Sequence, residues 1–123
     1  MPDVPAQPAG EGLTQAISAA IVKLYGEVYG RGQTTASTYI NDNVVVCILQ
    51  DMLTPGEQQL LANDERQVVI DGRIAFQADK EDAFSAAVER LTLRPVVGFM
   101  SANQTSPEIA CEMFFLAPHP ADT

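Results

Sequence analysis

Two segments of this chain carry apolar side chains on both faces of an extended backbone, and that property restricts the fold more than any other. Val44-Val45-Val46-Cys47-Ile48-Leu49 is an unbroken aliphatic run, and residues 108–116, EIACEMFFL, come close to one. Successive strand side chains point to opposite faces, so a sheet covered on one side should alternate apolar with polar. These runs do not alternate. In the first, Val45, Cys47 and Leu49 share one face and Val44, Val46 and Ile48 the other. In the second, Ile109, Cys111, Met113 and Phe115 oppose Ala110, Phe114 and Leu116, with Glu112 alone polar among the latter. One set packs under helices. The other, left open, makes a larger apolar patch than monomers usually expose. At about 25 cal/mol per Å², covering several hundred Å² contributes several kcal/mol. Val44, Val46, Ile48, Phe114 and Leu116 are therefore the expected interface. Its cover is a second copy, a different subunit, or the chain's own first helix crossing to the far face. Two-fold self-association is the simplest of these.

The remaining elements follow from periodicity and punctuation. Leu13, Ile17, Ala20, Ile21, Leu24 and Val28 recur at helical steps, and Gly30 offers a C-terminal stop. Residues 34–40 and 44–49 predict a hairpin turning at Asn41-Asp42-Asn43, residue types that tolerate positive φ. Thr54-Pro55-Gly56-Glu57 is the sharpest local signal. Thr54 and Glu57 are spaced for a reciprocal capping box, and Pro55 suits the first helical position. A short helix over 55–62 follows, then a longer one over 65–91, with a bend or break expected near Asp71-Gly72. Residues 96–101 read as a third strand, 103–107 as a polar loop and 108–116 as the fourth strand. The order α-β-β-α-α-β-β predicts an α+β fold, a two-layer sandwich with a mostly antiparallel four-stranded sheet. Residues 11–117 form its single domain. Residues 1–10 read as a disordered Pro- and Ala-rich lead, and 118–123 as a tail.

Charge excludes some partners. Seven Lys and Arg against sixteen Asp and Glu give a net charge of −9. Nucleic-acid binding needs clustered cations, and so does docking on anionic lipid. No apolar run approaches the roughly 20 residues that cross a bilayer, and the N-terminus lacks the pattern of a signal peptide, which makes the cytoplasm the expected compartment. Cys47 and Cys111 have no metal-type spacing and read as buried, inert thiols.

No catalytic, cofactor or metal set stands out. His119 lies alone in a Pro-flanked tail, and Asp79-Lys80-Glu81-Asp82 reads as a solvated helical face. Gly30-Arg31-Gly32 presents backbone N–H groups and a guanidinium, the chemistry of an anion site, although a helix stop with a solvated Arg explains it better. Arg73 falls beside the apolar stripe of the long helix with Gln77 one turn later. It fits a structural ion pair better than a ligand contact. A small anion sensor using Arg31 and Arg73 is the alternative to the subunit reading.

Taken in order, Gly30-Arg31-Gly32, Leu53-Thr54-Pro55-Gly56-Glu57, Leu61-Ala62, Arg73-Ile74-Ala75-Phe76-Gln77, Val88-Glu89-Arg90-Leu91-Thr92 and the strand to Phe115-Leu116 resemble the MpsC-like family. That family is named for a component of a proposed sodium-translocating, membrane-potential-generating system. The similarity spans roughly residues 13–117. Leu93 stands where family members often have Gly. The resemblance implies a non-catalytic accessory protein beside membrane transport of ions or inorganic carbon, self-associating or bound to a transport component. It brings no established catalytic residues, so Gly30, Arg31, Gly32, Thr54, Glu57 and Arg73 are motif positions.

Overall fold

The computed structural model describes residues 10–30 and 34–118. Three helices and four strands follow in the expected order: α1 Glu11–Tyr29, β1 Thr35–Asn41, β2 Val44–Gln50, α2 Pro55–Ala62, α3 Arg66–Thr92, β3 Val96–Thr105 and β4 Glu108–Leu116. The strands form one antiparallel sheet in the order β1-β2-β4-β3. The fold is α+β. Most of the expected lead and tail, along with Arg31, Gly32 and His119, lies outside the described residues.

All the helices that touch the sheet do so on one face, α1 over β1 and β2 and α3 over β3. Helix α1 does not cross to the far side. Its Ile17, Ile21 and Tyr25 join Phe76, Phe84 and Val88 of α3 and Val45, Cys47, Leu49 and Phe114 of the sheet in one core. The buried stripe of α1 is thus rotated from the expected one, since Tyr25 is buried and Val28 is 54% exposed. The i, i+4 row through 17, 21 and 25 wins because Tyr25 stacks on Phe84 and packs at a tilt against Phe76. Gly30 ends the helix at φ 81°, ψ −180°, a backbone region open essentially to glycine alone.

Two expectations change. Helix α3 runs unbroken for 27 residues through Gly72, where a Cβ would meet open space. Strand β3 continues through Asn103, Gln104 and Thr105, which pair with Ala110, Ile109 and Glu108, so the polar loop shrinks to Ser106-Pro107. Hairpin pairing overrides the weak strand propensity of Asn and Gln there. Leu93 closes α3 in the left-handed conformation at φ 59° and is 70% exposed. A left-handed C-terminal position is where glycine is ordinary, so a leucine there is strained by roughly 1 kcal/mol. Arg94 ties the corner together, donating to the carbonyls of Asp42 (3.3 Å) and Ala117 (2.7 Å) and to the Asn43 side chain.

Candidate functional site

Three features of the fold carry chemistry or unspent surface: a buried cation, a buried carboxylate and an open sheet face. The first begins with the Thr54 cap. Thr54 Oγ1 accepts from the Glu57 N–H at 3.0 Å, and Glu57 Oε1 accepts from the Thr54 N–H at 3.1 Å, so the expected capping box is formed. Both Glu57 oxygens also accept from Arg73, which donates through Nη2 at 2.8 Å and Nε at 3.0 Å. The same Nη2 reaches Glu108 Oε2 and the Met52 carbonyl, each at 3.2 Å. The guanidinium carbon sits 4.6 Å from the centroid of the Tyr29 ring. Arg73 is 3% exposed. Burial works against its charge, but hydrogen bonding and charge from Glu57, then the charge of Glu108, raise its pKa above the ordinary arginine range.

The guanidinium is committed to protein partners. A pocket of about 290 Å³ lies nearby against Tyr25, Tyr29 and the stretch from Asp51 to Pro55, but Arg73 is not part of its wall. The cleft that does touch Arg73 has about 10 Å³, room for roughly one water. Of the residues expected for an anion site, Gly30 caps α1, and Arg31 and Gly32 lie outside the described residues.

One turn along α3, Gln77 serves a different cluster. Glu112 of β4 is fully buried and faces the helices. Its Oε2 accepts from Gln77 Nε2 at 2.8 Å and from the Tyr25 hydroxyl, and its Oε1 accepts from Ser101 Oγ. Gln77 and Asn103 exchange a reciprocal pair of amide hydrogen bonds at 2.8 and 3.1 Å. Burial raises the Glu112 pKa; the three hydrogen bonds and the Arg73 charge oppose it without cancelling it. Burial first, then the Glu112 charge, holds the Tyr25 phenol far above its ordinary range. The sequence reading found Gln77 but not Tyr25, Ser101, Asn103 or Glu112. The available signal was a lone Glu among alternate apolar residues of a strand.

The third feature is the far face of the sheet. Register lines up Tyr39, Val46, Met113 and Met100 in one row across all four strands, and Ser37, Ile48, Cys111 and Ala102 in the next. Val44 and Phe115 extend the patch. Val44, Val46 and Ile48 are half-buried there, while Tyr39 and Met100 are 60% and 57% exposed. Phe114 and Leu116, expected in the same patch, are corrected to the helix face. Phe114 pairs with Val45, and both are fully buried. With both faces of β4 apolar, only the pairing register decides its phase, and it turns Ile109, Cys111, Met113 and Phe115 outward.

Cys47 lies under the helices, its thiol pushed up to about 11 by burial, whereas Cys111 lies on the far face. Among the described residues, no group of three or more His, Cys, Asp or Glu is placed to hold a metal ion, and no helix is long and apolar enough to cross a membrane. No curated protein and no solved structure matches the chain. A family model does match, over residues 10–117, and its description is Na+-translocating membrane potential-generating system (MpsC). The chain belongs to the MpsC family.

Proposed function

We propose that this chain is a non-catalytic accessory or regulatory subunit that pairs with a second copy of itself through the open sheet face, and that it serves a membrane ion-transport system of the kind its family is described by. The observation that carries the reading is the uncovered face around Val46 and Met113, apolar on β2 and β4 and extended by Met100 and Ala102 of β3 and Tyr39 of β1, and free of charge in a chain of net charge −9. An acidic chain repels its own kind wherever its carboxylates meet. Two copies that meet face to face keep their helices, which carry eight of the sixteen acids, on the outside. Strand spacing and rise give such a pair an interface of about 1,000 Å² in total, near the lower end of specific complexes. That size fits a dimer that forms in the micromolar range. The anion-sensor alternative has less support, because the Arg73 donors are already engaged.

Sedimentation velocity over a range of concentrations tests the reading. The wild-type chain is expected to move from monomer to dimer, and Val46→Lys or Met100→Glu to remain monomeric with unchanged far-ultraviolet circular dichroism. A wild-type chain that stays monomeric throughout the micromolar range refutes self-association through this face.

A further inference from the structure

We infer that the free edge of β3, together with the acidic flank of α3, is a docking site for an extended, basic segment of a different protein, which adds to the sheet as a fifth strand. β3 is the longest strand, ten residues, and it pairs with β4 on one side only. Alternate residues of an edge strand direct their N–H and C=O groups away from the sheet, a ready template for another strand. Natural edges are usually blunted by charge, proline or a bulge; VVGFMSANQT has no charge and no proline, and its register shift between Val96 and Gly98 leaves the pairing from Phe99 to Thr105 regular.

The structure closes this edge at one point. The Val96 N–H donates to Glu89 Oε2 at 2.8 Å, so a carboxylate from α3 occupies the place of a neighbouring strand's carbonyl. Beyond that contact a groove of about 330 Å³ runs between α3 and β3. Ser85 and Ala86 are its small helical walls, with Glu81 and Asp82 at one end and Glu89 at the other. Small side chains leave room for a backbone to lie beside β3, and the carboxylates suit Lys or Arg on the incoming strand.

Charge also selects the occupant. None of the four strands among the described residues contains Lys or Arg. A second copy adding through its own β3 would bring Glu81, Asp82 and Glu89 against the first set, with no cation on the strand itself to meet them. The other edge, at β1, lacks the acidic flank: the groove beside it includes Lys23 with Glu27. The β3 edge therefore fits a basic partner strand, and it is separate from the open sheet face, so either surface can function without the other.

The probe is a synthetic ten-residue peptide of alternating Lys and Val, compared with its Glu–Val counterpart, each titrated into ¹⁵N-labelled full-length protein. The Lys–Val peptide is expected to shift amides of β3 and of α3 from Glu81 to Glu89, and to bind about tenfold tighter than the Glu–Val peptide. A Glu81→Lys/Asp82→Lys variant, whose substitutions fall on exposed positions, is expected to reverse that order. Val46→Lys is expected to bind the Lys–Val peptide as the wild type does, which separates this edge from the sheet face. Equal binding of the two peptides overturns the inference, as do shifts centred on Val46 and Met113, or no shift at millimolar peptide.

Discussion

Arg73 and Gln77 lie one helical turn apart on α3, are almost equally buried, and anchor two polar clusters built on opposite principles. Around Arg73 a cation meets two carboxylates, Glu57 and Glu108, with side-chain exposures of 12% and 10%. Around Gln77 a carboxylate, Glu112, meets only neutral donors. The first cluster is held by opposite charge. The second is held by hydrogen bonds to a group whose own charge burial disfavours. One should therefore fail when its cation is removed, and the other should respond to protons.

Arg73→Met breaks the first cluster and gives the largest expected effect. It leaves Glu57 and Glu108 facing each other across a nearly dry site, a loss of about 3–5 kcal/mol. Lys in its place keeps the charge but not the planar fork that spans Glu57 and Met52, so Arg73→Lys should recover only part of that loss. Urea denaturation with a fixed m-value measures both. If Arg73→Met costs less than about 1 kcal/mol, the charge-pair account of this cluster is wrong.

Glu112 gives the next effect. Glu112→Ala strands the donors of Tyr25, Gln77 and Ser101 and opens a cavity, a cost of about 3 kcal/mol. Glu112→Gln keeps the acceptor for Tyr25 and Gln77 and should lie within about 1 kcal/mol of wild type at neutral pH. Both variants also separate from wild type in pH dependence. The folded chain holds a proton on Glu112 more tightly than the unfolded chain does. Stability contributed by this group is therefore full below the ordinary Glu range near pH 4 and falls as the pH rises towards its raised folded value. Urea midpoints measured across that window should carry less downward slope in Glu112→Gln than in wild type. Identical slopes would mean that Glu112 stays ionised on folding.

The two clusters were not equally visible in the sequence. The Arg73 cluster announced itself through local chemistry, because Thr54-Pro55-Gly56-Glu57 specifies a helix start whatever surrounds it. An arginine beside an apolar stripe also demands a partner. Its second carboxylate, Glu108, was hidden, since no local rule brings the start of β4 to the loop at Met52. The Glu112 network was hidden except for Gln77. Its members come from α1, α3, β3 and β4, and only the register of β4 turns Glu112 inward. The same ambiguity misplaced Phe114 and Leu116, because a strand apolar on both faces says that both are needed without saying which is which. The element order survived because turns, caps and hydrophobic periods are local. The phase of β4 is a tertiary fact.

The smallest effect tests whether the Arg73 cluster and the helix cap are one device or two. Glu57 Oε1 accepts both from the Thr54 N–H and from Arg73 Nη2. Thr54→Ala removes the hydroxyl that caps the Glu57 N–H and should cost about 1 kcal/mol as a cap alone. If the cap also holds Glu57 in position for Arg73, the double variant with Arg73→Met will lose less than the sum of the single losses, by about 0.5 kcal/mol or more. The Glu112 cluster supplies the control, since Thr54 touches none of its members, and Thr54→Ala with Glu112→Gln should be additive. Coupling to Arg73 with additivity to Glu112 would make the α2 start part of the charged cluster. Additivity in both cycles would leave the cap a purely local element that lies beside a buried ion pair.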